Sequence, residues 1–211
     1  PDAASAYSGK GAAYAMLGDT RRSREAYDVS LELKPSRQAF TNMGLRYYYD
    51  GRFQDAVDMQ LKALEYAPDD HRVWGRLAES YRFVQDGTED AQRAYESAAG
   101  FAEAALAVNA KDRESHGLLG LYYAHLGRLQ EALDSVNRAV EMSDRASGAL
   151  YFQALVLQQA EDEAGALRAL EEAVARDAQF DRIVRNDPDL QALVQADGAR
   201  RLPPLIGDEG P

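Results

Sequence analysis

Apolar and small residues recur along the chain at i, i+3, i+4 and i+7, the stripe of a 3.6-residue helix, and the stripe restarts about every 34 residues. Near residue 40 it reads Phe40, Met43, Gly44 and Tyr47; near 74, Trp74, Leu77, Ala78 and Tyr81; near 116, His116, Leu119, Gly120 and Tyr123. A copy at the start reads Tyr7, Lys10, Gly11 and Tyr14, and a weaker one reads Leu150, Gln153, Ala154 and Leu157. Gly18, Gly51 and Gly127 stand where a helix must end in a left-handed residue before a short turn. A second segment follows each turn, marked by Ala56 and Ala63, by Ala132 and Ala139, or by Ala166, Leu170 and Ala173. Pro35 and Pro68 close second segments. The pattern predicts an all-α chain with helices near 3–17, 20–33, 37–49, 53–66, 70–85, 89–109, 113–126, 129–142, 146–159 and 163–177.

These spacings resemble the tetratricopeptide repeat, whose period is 34 residues and whose signature is Trp-Leu-Gly-Tyr followed by Ala, Phe and Pro. The resemblance covers five copies at residues 4–36, 37–70, 71–112, 113–146 and 147–180, a domain over 1–180. It implies a right-handed α-solenoid, because one unit cannot bury its own apolar face and stacked neighbours share a core. The small residue at i+4 lets the second helix approach the first, and the tyrosine three residues later fills the gap above it.

Departures from the pattern carry their own expectations. Lys10 replaces the family's Leu, so the first core is imperfect or Lys10 snorkels outward. The third copy holds about eight extra residues, with Asp86-Gly87-Thr88 as its turn, and this predicts a lengthened hairpin whose tip projects from the solenoid. Asn186-Asp187-Pro188 predicts a capping helix near 188–196 in which Leu190, Leu193 and Val194 share a face. Residues 181–198 also resemble the closing segment of tetratricopeptide regions appended to bacterial signalling proteins. Residues 199–211, rich in Pro and Gly, read as a disordered tail.

Composition narrows the function. The absence of cysteine excludes disulfides and thiolate chemistry. Thirty-five acids against 24 Lys and Arg give a formal charge of -11, a poor basis for binding nucleic acid. No apolar run is long enough to span a membrane. The chain opens on Pro1 rather than Met, so it reads as processed or excised; the cytoplasm is the expected compartment unless a targeting segment has been removed. His71, His116 and His125 lack metal-binding spacing, His116 reads as core, and no nucleophile, base, metal ligand or cofactor site is indicated.

The family resemblance implies a concave groove lined by the first helices. Its positions here are Asn42, Leu45, Tyr48 and Tyr49; Arg72, Arg76, Glu79 and Arg82; and Leu118, Leu121, His125, Tyr151, Phe152 and Leu155. This groove is basic in its middle and apolar toward the C-terminal end. Asn42, Arg72 and Arg76 match three positions of the clamp with which some tetratricopeptide domains hold acidic chaperone tails, whereas Ser8 and Ala12 stand in place of its first Lys and Asn. Arginines so spaced suit a carboxylate or phosphorylated side chain; the alternative is pairing with acids of neighbouring helices. The expected function is a non-catalytic scaffold for a partner peptide or helix, with homo-oligomeric self-assembly or a regulatory part of a larger signalling enzyme as the alternatives.

Overall fold

Five helical hairpins follow one another in the computed structural model, which describes residues 2–187 and 189–195. The first helices of the pairs are α1 (Ala3–Met16), α3 (Arg37–Tyr49), α5 (His71–Tyr81), α7 (Arg113–His125) and α9 (Ser147–Gln159). Their partners are α2 (Thr20–Leu33), α4 (Phe53–Tyr66), α6 (Thr88–Val108), α8 (Leu129–Met142) and α10 (Glu163–Arg176). There is no strand among the described residues. Side-chain oxygens start many of these helices: Asp19 accepts from the Arg22 N–H, Ser36 from Ala39, Asp112 from Ser115 and Asp162 from Gly165. Each bond satisfies one of the donors that a helix N-terminus leaves unpaired.

The hairpin turns repeat one hydrogen-bonded motif. Gly51 donates to Tyr48 O at 3.0 Å and Arg52 to Tyr47 O at 2.9 Å, and the same pair of bonds recurs at Gly18 and Gly127. This end motif needs a left-handed residue, and Gly51 takes a φ of 72°. In the fifth pair Glu161 makes the turn instead, at a φ of 60°. The arginine after the glycine then lies over the repeat tyrosine, Arg52 at 4.2 Å from the Tyr47 centroid and Arg128 at 3.9 Å from that of Tyr123.

Close helix approach explains the small residues. A Cβ added at Gly120 would lie 2.5 Å from Val136 and 2.9 Å from the Ala132 carbonyl. Ala56, Ala63, Ala132, Ala139, Ala166 and Ala173 are all fully buried on the facing helices. Serine hydroxyls cross the same seams, Ser23 donating to Gly11 O and Ser135 to His116 O, each at 2.9 Å. Lys10 is exposed and lies between the rings of Tyr7 and Tyr14, 5.7 and 5.8 Å from their centroids. Of the two expectations for it, snorkelling is what occurs.

The chain divides within α6 into two compact units, Pro1–Phe101 and Ala102–Pro211. The extra residues of the third hairpin lie at the C-terminal end of α6, not at its tip. Trp74 of α5 meets Phe101 at 6.4 Å, much as Phe40 of α3 meets Tyr66 at 5.7 Å, yet Tyr66 ends α4 whereas α6 continues to Val108. The added turns are largely solvated, with Val108 91% exposed. Helix α5 stops at Tyr81, earlier than the periodicity predicts. Its chain tightens through short-range bonds from Phe83 and Val84 to the carbonyls of Ser80 and Tyr81.

In the second unit, the residues after α10 form α11 (Gln179–Asn186), where the pattern predicts no helix, and a helical turn α12 (Gln191–Leu193). Val184, Leu190, Leu193 and Val194 bury against Leu167, Leu170 and Val174 of α10. The apolar trio expected of a cap is therefore buried, although most of the helix precedes it. Pro188, the end of the expected cap and the tail expected over 199–211 lie outside the described residues.

Candidate functional site

The first helices of the unit Pro1–Phe101 are tied side by side by polar side chains. The Asn42 amide of α3 donates to Ser8 Oγ of α1 at 3.0 Å and accepts from Gln38 at 3.2 Å. Arg37 donates to the Asp70 carboxylate at 2.8 Å, and the same carboxylate caps α5 by accepting from the Arg72 N–H at 3.0 Å. Leu45, Arg72, Arg76 and Glu79 are half-buried along these helices. Glu79 accepts from Arg82 at 2.8 Å and from the Tyr95 hydroxyl of α6. Arg82 also lies 5.5 Å from the Phe83 centroid. One acid partner of Arg82 is thus on the preceding turn of its own segment.

Charge is sorted between the layers of this unit. Helices α1, α3 and α5 carry Lys10, Arg37, Arg46, Arg72 and Arg76 against Glu79 alone. Their partners α2 and α4 carry Arg21, Arg22, Arg24 and Lys62 against Glu25, Asp28, Glu32, Asp55, Asp58 and Glu65. An acidic chain thereby presents a basic first-helix layer.

At the turn end of α3 four aromatic rings meet. Tyr48 packs edge-on to Tyr49, Phe53 and Phe83, with centroids 5.7, 5.6 and 5.9 Å away. Phe53 and Phe83 stack at 4.7 Å. Tyr48 is half-buried, while Tyr49 is 60% exposed. Sequence reading finds the two tyrosines but misses Phe53 and Phe83, because neither falls on a first-helix stripe.

In the unit Ala102–Pro211 the expected apolar positions have different fates. Leu118, Leu121 and His125 are half-buried on α7, and Leu121 packs against the core. Phe152 covers Gly117, where an added Cβ would sit 2.5 Å from its ring. Tyr151 packs against Phe152 and Phe180 at 5.7 and 6.2 Å, and its hydroxyl donates to Asp187. The C-terminal segment therefore occupies part of the face on which a ligand was expected. Leu155 is 5% exposed among Ala166, Leu167 and Leu170. It is a core residue, since α10 and the capping segment close over its side of α9.

Residues 85–149 match the family model of the tetratricopeptide repeat. A thermophilic TPR protein of Thermus thermophilus superposes with a TM-score of 0.67 at 20% identity, over 90% of this chain and 100% of its own. Residues 85–149 are thus tetratricopeptide-repeat sequence, and the chain has the fold of a tetratricopeptide protein. Other solved structures align with it as well: one from the Cut9-Hcn1 hetero-tetramer of the APC/C (TM-score 0.58, 18% identity, 91% of this chain and 35% of that one), and MamA of Desulfovibrio magneticus RS-1 (0.51, 17%, 85% and 97%). At these identities the likeness is one of fold. No curated protein sequence matches the chain. No described helix of the tetratricopeptide domain is long and apolar enough to cross a membrane.

Proposed function

We propose that this chain is a non-catalytic scaffold that binds a segment of a partner protein on the face made by α1, α3 and α5. Tetratricopeptide domains serve protein–protein interaction in general, and the observation that directs the reading to this face is its charge. Five bases meet one acid on the first helices of the unit Pro1–Phe101, against the sign of the whole chain. A partner segment bearing carboxylate or phosphate complements that face. Asn42 supplies an amide already oriented by Ser8, and Arg72 and Arg76, one helical turn apart, supply guanidinium groups able to bond an anion through two parallel N–H groups. Half-burial favours such contacts, because charge-assisted bonds strengthen where water is partly excluded.

The test is selection of peptides from a displayed library, followed by affinity measurement on single sequences. Replacing Arg72 and Arg76 together by Ala should weaken the selected acidic peptides about tenfold or more, the equivalent of about 1.5–3 kcal/mol for a hydrogen bond to a charged group. Selected peptides without acidic character, or affinities unchanged in the double variant, would remove the arginines from the function.

A further inference from the structure

We draw no further inference here: the strongest candidate, the surface patch made by the rings of Tyr48, Tyr49, Phe53 and Phe83 at the turn end of α3, carries nothing, because nothing in the structure shows what covers it.

Discussion

Asn42 donates its amide to the hydroxyl of Ser8, the residue 34 positions earlier, at 3.0 Å. The sequence period thus becomes a physical rung between successive first helices. Ser8 is 8% exposed and Asn42 half-buried, so the bond lies where water competes weakly. Asn42→Ala should destabilise the chain by about 1 kcal/mol, the net worth of one such bond, as read from the urea midpoint.

Turn glycines make a second expectation. Gly127 holds a φ of 75°, and Gly127→Ala should cost about 1 kcal/mol or more. Glu161 performs the same turn at a φ of 60°, and Glu161→Gly should stabilise by roughly 0.5–1 kcal/mol. Opposite signs from paired thermal or urea melts confirm the shared turn; a destabilising Glu161→Gly would show that this side chain contributes more than its strained backbone costs.

The loop between α8 and α9 gives a pH dependence. Glu172 accepts from Arg145 Nε at 2.7 Å and from Arg176 Nε at 3.0 Å, and the Arg145 bonds, with its charge, lower the Glu172 carboxyl to about 2 from 4.5. A folded-state pKa below the unfolded one adds stability that is present above about 4.5 and lost as pH falls toward about 2. Because the pair is partly solvated, its worth is under about 1 kcal/mol. Glu172→Gln should therefore be less stable than the parent at pH 7, with the gap in denaturation midpoints closing toward pH 2 at low salt. A gap constant from pH 7 to pH 2 would contradict the pairing.

Phe152 and Gly117 offer a packing test between repeats. Gly117→Ala would place a methyl 2.5 Å from the Phe152 ring, so the ring must move. The substitution should destabilise by about 1–3 kcal/mol, as overpacking does. Adding Phe152→Leu should return part of the loss, since a smaller side chain makes room for the methyl group.

Much of the fold was legible because helix, turn and repeat signals agreed. Tyr47, Gly44 and Gly51 each occupy the place their chemistry dictates in one unit, and the same places recur in others. Residues 160–162 fall in a turn between predicted helices, but the left-handed conformation of Glu161 was not legible, because nothing local marks a glutamate for a positive φ. Helix α11 was missed because its eight residues owe their burial to Val184 meeting α10, a tertiary contact. The end at which α6 is lengthened was also hidden. A length count locates extra residues only between anchors, and Phe101 became an anchor only on meeting Trp74. The places of Asn42, Arg72 and Arg76 on α3 and α5 were legible from the repeat spacing, whereas Leu155 was misplaced because the periodic reading does not show which side of α9 the C-terminal segment closes over.

The most direct measurement of the scaffold reading is backbone amide NMR on the full chain, titrated with a selected acidic peptide. Shifts concentrated on α3 and α5, around Asn42, Arg72 and Arg76, are the predicted result, and they should be lost when both arginines are Ala. Shifts confined to α2 and α4, with Asn42, Arg72 and Arg76 unmoved, would contradict it.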